Sequence, residues 1–334
     1  MQTDLTISLI NHSNPQMLRD CLRSLFAATH AVTLDVWVVD NATGGALVPE
    51  LQAEFPQVQW LFNTERRGFS ANHNQVLHRV VADKRSRHAC ILNDDTLIHD
   101  GAFDRLVAFL DAHPAAGMTG AKLLNADGTL QDCVYRFPKL RDEPIHFFIL
   151  PKAVSHWKSK IIDPVQVQDQ PAFVDWILGA CMVVRREVLE QVGLLDDVLS
   201  PVACMEEVDW CYRTHAAGWK IGYCPAAVIT HIRGQSIKPA AGQVGPDRIQ
   251  LEMYKALYRY YKKHRGTSPA SLLLLLHAAA LPWNALMLTQ GVLRRHITPA
   301  QYKRQLGTGW QVARLIGSLP REAAGGKAVN EAQS

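Results

Sequence analysis

Short apolar runs of strand length alternate with helical patterns along the first third of the chain, and this alternation constrains the fold more than any other feature. The strand-like runs are LTISLI (5–10), LDVWVVDN (34–41), QVQWLFN (57–63) and HACILNDDT (88–96). The segments with helical spacing are NPQMLRDCLRSLF (14–26), FSANHNQVLHRVVAD (69–83) and FDRLVAFLDAH (103–113). Because strands that alternate with helices form crossover units, the pattern predicts an α/β fold with a mostly parallel sheet and helices on both faces.

Two of the predicted strands end in polar side chains. Asp40 and Asn41 follow one strand, and Asn93, Asp94 and Asp95 follow another. In parallel sheets the ligand lies outside the carboxyl ends of the strands, so these side chains are expected to meet in one crevice. For either group alone the alternative is turn formation, in which Asp and Asn are also common.

The stretch CMEEVDWC (204–211) places three carboxylates within four positions. Adjacent negative charges disfavour ionisation and raise a carboxyl pKa, which suits a general base. On a helix, Glu206 and Asp209 would share one face, and Glu207 would project elsewhere, into the cleft. The alternative is a helix N-terminus that collects acidic residues to satisfy its dipole.

Charge separates the C-terminal part of the chain from the rest. Residues 253–321 hold eleven Lys or Arg and no Asp or Glu, although the net charge of the whole chain is only +4. A basic tail on an acidic body indicates an anionic partner. The cations flank an apolar segment instead of an aromatic platform, which favours lipid and argues against nucleic acid.

That apolar segment is LLLLLHAAALPWNALML (272–288). It is shorter than the roughly 20 apolar residues that a spanning helix needs, and His277, Pro282 and Asn284 interrupt it. We therefore expect an in-plane or hairpin-like contact with an anionic membrane surface. The alternative is a buried helix that packs on the core or on another subunit.

The remaining signals concern compartment and further site residues. The seven cysteines form no CxxC pair, and the N-terminus lacks the pattern of a signal peptide, so a cytoplasmic protein is expected. Trp176 and Gly179 follow an irregular stretch at 133–175 and are candidates for the acceptor side of a site. His231 ends a later strand and is a candidate ligand. No G-x-G-x-x-G follows the first strand, which argues against a nucleotide-dependent oxidoreductase.

Six stretches, in order along residues 4–266, resemble the family 2 glycosyltransferases with the GT-A fold, and the likeness is closest to their rhamnosyltransferase-like branch. The stretches are VVDNATGG (38–45), NTERRGFSANHN (63–74), ILNDDT (91–96), GACMVVRREVLEQVGLLDD (179–197), MEEVDWCYRTHAAGWKIGYCPAAVITHIRGQS (205–236) and YRYYKKHRG (258–266). We expect a GT-A domain at residues 1–250, with a nucleotide-sugar half at 1–130 and an acceptor and catalytic half at 131–250. Residues 251–334 would form a basic, apolar helical extension that associates with the membrane.

The resemblance also assigns roles to single positions. On the donor side it implies nucleotide-sugar contacts for Asp40, Asn41, Arg67, Gly68, Phe69, Asn74, Asn93 and Asp94. The family's metal motif falls on Asn93 and Asp95, with His231 near the metal and the diphosphate, and the implied cofactor is Mg²⁺ or Mn²⁺. Trp176 and Gly179 stay candidates for the acceptor side.

The family's catalytic base is the Asp of a Glu-Asp pair, which reads Glu206-Glu207 here, with Asp209 completing the motif. The base therefore falls on Glu207 or slips to Glu206. Such a carboxylate removes the proton of an acceptor hydroxyl, and direct displacement inverts the anomeric centre.

The resemblance implies an inverting transferase that uses a nucleoside-diphosphate sugar, with dTDP-rhamnose as the first candidate. The acceptor would be a hydroxyl of a lipid-linked or cell-surface polysaccharide, carried on a polyprenyl diphosphate. The protein would then lie on the inner face of the cytoplasmic membrane. The alternatives are a hexose or galactofuranose donor, and a non-catalytic nucleotide-sugar-binding scaffold in which Glu207 marks a decayed site.

Overall fold

The computed structural model describes residues 3–12, 14–45, 48–149, 169–199, 204–232, 246–295 and 297–325. The chain divides into two compact units. The sheet unit comprises Met1–Phe137 and Pro164–Gln243, and the helical unit comprises Pro138–Asp163 and Val244–Ser334. The helical unit thus includes an internal segment besides the C-terminal extension, and the domain boundary at residue 250 stays a prediction.

The helices and strands are described in chain order. They are β1 (Thr3–Asn11), α1 (Pro15–Ala27), β2 (Leu34–Asp40), α2 (Val48–Glu54), β3 (Gln59–Phe62), α3 (Phe69–Asp83), β4 (Ser86–Leu92), β5 (Thr96–Ile98), α4 (Ala102–Ala112), β6 (Ala116–Leu124), β7 (Leu130–Gln131), β8 (Val134–Tyr135), α5 (Glu143–Phe147), β9 (Ala172–Val174), β10 (Trp176–Ile177), β11 (Cys181–Arg185), α6 (Arg186–Val192), α7 (Glu206–Ala216), β12 (Lys220–His231), α8 (Pro246–Arg265), α9 (Thr267–Leu293) and α10 (Pro299–Gly325). Helices α5, α8, α9 and α10 belong to the helical unit.

The main sheet has the strand order β3-β2-β1-β4-β11-β6-β12-β5. Strands β3, β2, β1 and β4 are parallel, β11 is antiparallel to both of its neighbours, and β12 is parallel to β6. Alternate residues of β1 point to opposite faces, and Leu5 through Leu9 are all at most 3% exposed, so the strand is covered on both sides. The predicted α/β fold with a mostly parallel sheet is confirmed.

Parallel pairing brings the ends of β1, β2 and β4 to one edge of the sheet, which we call the carboxyl edge. Asn11 at the end of β1 is in register with Asp40 at the end of β2. Strand β4 ends at Leu92, so that Asn93 follows at the same edge. The polar residues after these buried strands therefore gather where a ligand of such a sheet binds.

Helix α9 corrects one expectation from the sequence. It is a single helix of 27 residues with Pro282 in its interior, so the predicted interruption, and with it a hairpin, is wrong. A proline removes one backbone hydrogen bond and kinks a helix, but the neighbouring turns can continue it. At about 1.5 Å per residue α9 is roughly 40 Å long. By length and a mean hydropathy of 1.6 it could cross a membrane, and 28% of its most apolar window is buried.

The exposed apolar residues of α9 share one stripe of the helix. They are Leu272, Leu275, Ala278, Ala279, Pro282, Trp283, Leu286 and Leu293, most of them spaced three, four or seven apart. Such spacing places them on one side of a helix. The opposite side is buried within the helical unit, where His277 packs on Phe147 of α5 with ring centroids 3.5 Å apart. Helix α9 thus combines features of the two alternatives given for its sequence: one face is packed within the helical unit, and the other exposes apolar side chains.

Glu143 of α5 makes the stability of the helical unit depend on pH. Its buried carboxylate accepts a hydrogen bond from the Tyr261 hydroxyl of α8 at 2.9 Å. Burial raises the pKa of Glu143 to about 7, although this hydrogen bond lowers it. A carboxyl with a raised folded pKa holds its proton more tightly in the folded state. Stability is therefore highest below the unfolded pKa and falls as the pH rises through the folded pKa.

We expect the unfolding free energy to fall by roughly 3 kcal/mol as the pH rises through the window from about 4.5 to about 7, since one pKa unit corresponds to about 1.4 kcal/mol. Glu143→Gln keeps the shape of the side chain and should remove most of this dependence. Urea denaturation below and above the window measures it. An unchanged pH slope in the Glu143→Gln protein would contradict the assignment.

Candidate functional site

The carboxyl edge begins with a carboxylate that is fixed by hydrogen bonds. Asp40 Oδ1 accepts from Asn11 Nδ2 at 2.7 Å and from Thr43 Oγ1 at 2.6 Å. The backbone N–H of Thr43 donates to Asp40 Oδ2 at 3.3 Å. Asn11 Oδ1 is buried and has no hydrogen-bond partner among the residues that the structure describes. A buried acceptor without a donor is rare and is consistent with a ligand that supplies one.

Asn41 connects this edge to the loop that precedes α3. Its Nδ2 donates to the Arg67 carbonyl at 2.9 Å and its Oδ1 accepts from the Arg67 N–H at 2.8 Å. Asn72 Nδ2 donates to the carbonyls of Arg67 and Gly68 at 3.0 and 2.9 Å. The loop backbone is thus held by side-chain amides on both sides, and the Arg67 side chain itself is exposed. This arrangement fixes the backbone of Arg67 beside the Asn41 side chain.

Two donor-side candidates have structural contacts instead. Asn74 points to the turn after α6, where its Nδ2 donates to the Leu195 carbonyl at 2.9 Å and its Oδ1 accepts from the Leu195 N–H at 3.2 Å. Phe69 packs edge-on against the buried His73 ring at 4.5 Å. Both side chains therefore position the loop and the start of α3. Asp94 is buried and lies between Asn93 and Asp95 in the sequence.

Asn93, Asp95 and His231 meet at the end of β4. His231 Nε2 lies 3.2 Å from Asp95 Oδ1 and 3.4 Å from Asn93 Nδ2. Asp95 and His231 are 2% and 5% exposed. Strand β12 brings His231 here because it is in register with Thr96 of β5. The structure therefore joins three residues that lie up to 138 positions apart in the sequence.

Gln131 fixes the orientation of His231, and the sequence gives no signal for it. His231 Nδ1 lies 2.7 Å from Gln131 Oε1, and an amide oxygen only accepts, so Nδ1 carries the proton. Gln131 Nε2 donates to Asn125 Oδ1 at 2.8 Å, which fixes the amide in turn. In a neutral imidazole this leaves a lone pair on Nε2, toward Asp95.

The pair formed by Asp95 and His231 fits a divalent cation. Asp95 Oδ1 is buried and makes no aligned hydrogen bond, although His231 Nε2 is only 3.2 Å away. Two lone-pair atoms that face each other in a buried place need a shared cation or proton between them. A carboxylate oxygen and an imidazole nitrogen are both ligands of Mn²⁺, and Mg²⁺ prefers the oxygen. Among the described residues no group of three His, Cys, Asp or Glu forms a complete metal site, so substrate oxygens would complete it.

The acidic cluster begins α7. Met205 precedes the helix in a left-handed conformation, with φ of +69°, which a residue with a side chain rarely adopts. Glu206 is buried, and burial together with the charge of Glu207 raises its pKa well above the ordinary value. Burial also raises the pKa of Glu207, and neither Glu206 Oε2 nor Glu207 Oε2 has a hydrogen-bond partner in the described part of the chain. Helix α7 thus presents a carboxyl with a raised proton affinity and an unpaired oxygen, which are the properties of a general base.

Asp209 differs from the two glutamates. It is fully buried, and its Oδ2 accepts from Arg213 Nε at 2.8 Å. Arg213 also donates to the carbonyls of Val192 and Leu194, at 2.8 and 2.7 Å. The carboxylate therefore holds α7 to the turn after α6, and its contacts are those of a positioning residue.

Asp209→Ala should lower the unfolding free energy by roughly 3–5 kcal/mol, because it leaves the Arg213 guanidinium without its buried partner. The matched control is Glu190→Ala in α6, which breaks an ion pair of the same i,i+4 spacing at the surface. We expect less than about 1 kcal/mol there. Urea denaturation of both variants measures the difference, and equal losses would contradict a structural role for Asp209.

Gly179 joins the Asp95 region to the acidic cluster. The Asn93 N–H donates to the Ala180 carbonyl at 2.9 Å, and a Cβ added at Gly179 would lie 3.7 Å from Glu207 Cβ. Since consecutive Cα atoms are about 3.8 Å apart, Asn93 and Glu207 are separated by only a few residue lengths. Trp176 stands nearby in sequence, stacked on Tyr135 at 4.4 Å. The two halves of the predicted site thus lie on one connected stretch of the sheet unit.

Sequence reasoning missed Asn11, Asn72 and Gln131. Asn11 follows β1 at the carboxyl edge and could have been found by the argument that identified Asp40. Asn72 lies in the stretch 63–74, but nothing in the neighbouring sequence marks it as a site residue. Gln131 sits in a two-residue strand just before the irregular stretch at 133–175.

Comparison with known proteins gives a consistent family. The family model described as "Glycosyltransferase like family 2" matches residues 6–244. N-acetylglucosaminyl-diphospho-decaprenol L-rhamnosyltransferase of Mycobacterium tuberculosis is 24% identical over 244 residues, which are 70% of this chain and 77% of that protein. Low-salt glycan biosynthesis hexosyltransferase Agl10 of Haloferax volcanii is 19% identical over 232 residues, 69% of this chain and 68% of that protein.

Two solved structures share the fold. Mannosyltransferase PcManGT from Pyrobaculum calidifontis, in complex with GDP-Man and Mn²⁺, has a TM-score of 0.54 and 15% identity, and covers 96% of this chain and 87% of its own. GalNAc-T7 with UDP, GalNAc and Mn²⁺ has a TM-score of 0.51 and 13% identity over 69% of this chain, which spans 44% of that structure. Both confirm the predicted GT-A fold.

Proposed function

Because this chain belongs to the family 2 glycosyltransferases, we propose that it transfers a sugar to a hydroxyl of a lipid-linked or cell-surface polysaccharide, with inversion of the anomeric centre. The first candidate for the sugar is rhamnose from dTDP-rhamnose. One observation carries the mechanism. The Asp95–His231 pair and the unpaired oxygen of Glu207 lie on the same connected stretch, through Asn93, Ala180 and Gly179. That spacing suits a donor between a diphosphate site and a base.

Asp40 and Asn11 bind the nucleotide base in this proposal. Asn11 Oδ1 is a buried acceptor that lacks a donor, and the N–H of a pyrimidine ring can supply one. The exposed Arg67 guanidinium then faces the donor phosphates, while the amides of Asn41 and Asn72 hold the Arg67 backbone. Phe69, Gly68 and Asn74 keep this loop and the start of α3 in place.

Asp95 and His231 would hold Mg²⁺ or Mn²⁺, with Asn93 and Asp94 around them. The bound cation supplies charge neutralisation to the departing diphosphate. Gln131 accepts the Nδ1 proton of His231, which in the neutral ring leaves the Nε2 lone pair for that role. Both similar structures are complexes with Mn²⁺, which supports a divalent cation here.

Glu207 acts as the base that takes the acceptor proton, and burial keeps its proton affinity high. Gly179 leaves room above Glu207 for the acceptor hydroxyl, because a side chain there would stand 3.7 Å from Glu207 Cβ. Trp176 flanks the acceptor. Attack of the activated hydroxyl on the far side of the leaving diphosphate inverts the anomeric centre.

The donor sugar is the open part of this proposal. The Mycobacterium relative carries rhamnosyltransferase in its name, and the Haloferax relative carries hexosyltransferase, so a hexose donor is the second candidate, with galactofuranose a further one. Incubation with dTDP-rhamnose, UDP- and GDP-hexoses and UDP-galactofuranose, with Mn²⁺ present and then chelated, separates them. Turnover of dTDP-rhamnose that stops on chelation is the expected result. Specific nucleotide-sugar binding without turnover of any donor would favour the scaffold alternative and sink the enzymatic proposal.

The acceptor is proposed to be linked to polyprenyl diphosphate, which keeps it in the membrane. The name of the Mycobacterium relative includes diphospho-decaprenol. The exposed apolar stripe of α9 and the cations that flank it suit an anionic membrane surface, on the inner face of the cytoplasmic membrane. A chain that ends before Met253 should no longer sediment with anionic vesicles, whereas the full chain should. Sedimentation of the truncated protein would exclude this anchor.

A further inference from the structure

The helical unit contains a cavity of about 440 Å³ that the proposed transfer mechanism does not use. Its apolar lining consists of Pro138, Leu140, Pro269 and the ring of Tyr261. A volume of this size is in the range of small-molecule sites. The YRYYKKHRG stretch, which the family resemblance singles out, supplies Tyr261 and one of the rim cations.

The rim of the cavity is positive. Lys139, Arg141 and Arg265 line it, and the structure describes no acidic side chain among its lining residues. The nearby carboxyls are Asp142, 3.5 Å from Arg141, and Glu143, which is bound by the Tyr261 hydroxyl. All three cations are exposed to solvent. Arginine forks and a lysine ammonium are the side chains that bind phosphate oxygens.

The start of α9 adds to this positive potential. Pro269, in the first turn of α9, lines the cavity. The N-cap residue of this helix is Gly266, which has no side chain to accept hydrogen bonds from the N–H groups of the first turn. The first turn of a helix carries partial positive charge and attracts anions. The same helix carries the exposed leucine stripe, so an apolar chain bound at the cavity could continue along a lipid-facing surface.

We propose that this cavity binds the diphosphate of a polyprenyl diphosphate, with Lys139, Arg141 and Arg265 on the phosphates and the apolar lining on the first prenyl units. A diphosphate joined to an apolar prenyl chain matches a cavity that is lined by three cationic side chains and by apolar ones. The identity of that lipid as the acceptor carrier rests on the proposed function. The cavity would then recognise the lipid carrier itself, independently of the sugar attached to it.

The test uses the full chain in detergent and farnesyl diphosphate as the probe, with binding measured by calorimetry. Farnesol lacks the phosphates and inorganic pyrophosphate lacks the chain, so both should bind at least about 10-fold more weakly than the probe. Arg141→Gln and Arg265→Gln, singly and together, should raise the Kd for farnesyl diphosphate by roughly 10- to 100-fold, since each removes charge-assisted contacts. The matched control, Arg294→Gln, removes an exposed cation of the same unit outside the cavity and should leave the Kd unchanged.

Three outcomes overturn the proposal. The first is a Kd for farnesyl diphosphate that the cavity variants do not change, and the second is an equal loss of affinity in Arg294→Gln. The third is that the cavity variants no longer sediment with phosphatidylglycerol vesicles, while the protein shows no preference for farnesyl diphosphate over farnesol. The last would make the cavity a phospholipid site. Hydrolysis of the nucleotide sugar, measured in the same variants, should stay at the wild-type rate. A protein without donor turnover that still binds farnesyl diphosphate through Arg141 and Arg265 would refute the proposed transferase and retain the cavity.

Discussion

Replacing Glu207 with glutamine is expected to slow sugar transfer by about 10²- to 10⁴-fold, the usual contribution of a positioned general base. The amide keeps the size of the side chain but cannot take the acceptor proton. The Kd for the nucleotide sugar should not change, because the donor contacts that we propose lie at Asp40, Asn41 and the Arg67 loop. Initial rates with saturating donor and acceptor, together with calorimetric donor binding, separate the two quantities.

Glu206→Gln is the matched control, since it removes the neighbouring carboxyl from the same helix turn. It should lower the transfer rate far less, because burial and not the charge of Glu206 raises the pKa of Glu207. The wild-type rate should fall as the pH falls through the raised pKa of the base, and this limb should persist in Glu206→Gln. A larger rate loss in Glu206→Gln than in Glu207→Gln would assign the base to Glu206.

Asp95→Asn should produce the second large effect, a loss of Mn²⁺ affinity and of transfer rate that is roughly 100-fold or more. An amide oxygen bears no charge, so the cation would lose the electrostatic part of its binding at a buried site. Titration of Mn²⁺ followed by electron paramagnetic resonance gives the affinity without reference to turnover.

Gln131→Leu is the graded comparison, because it frees the His231 ring without removing a ligand. Loss of an orienting partner typically weakens metal binding by 10- to 100-fold, which is less than loss of Asp95 itself. Wild-type Mn²⁺ affinity in Asp95→Asn would place the cation elsewhere. Wild-type affinity in Gln131→Leu alone would show that His231 is oriented by other contacts.

The strand ends were predictable because the chemistry of a parallel sheet is simple. Apolar runs that alternate with helices place Asp40 and Asn93 at one edge, whatever the details of packing. The orientation of a side chain on a helix was not predictable in the same way. Asp209 and Asn74 have the residue types of site groups, but their directions depend on where the turn at 192–195 lies, and that is a tertiary contact.

Interruption of α9 was predicted from His277, Pro282 and Asn284. The prediction failed because neighbouring turns and packing within the unit outweigh the one backbone hydrogen bond lost at Pro282. Gln131 shows the opposite limit. Its role depends on a contact with His231 across 100 positions of sequence, for which local patterns carry no signal.

Every backbone position of the turn at 192–195 is tied down by a side chain from α3 or α7. Arg213 binds the carbonyls of Val192 and Leu194, Trp210 that of Gly193, and Asn74 both polar groups of Leu195. Helices α3 and α7 should therefore open as one cooperative block in native-state amide exchange. The helix beside the proposed donor loop and the helix that bears Glu207 would then become disordered together. A partial unfolding event would therefore abolish activity altogether, instead of leaving an enzyme that hydrolyses its donor.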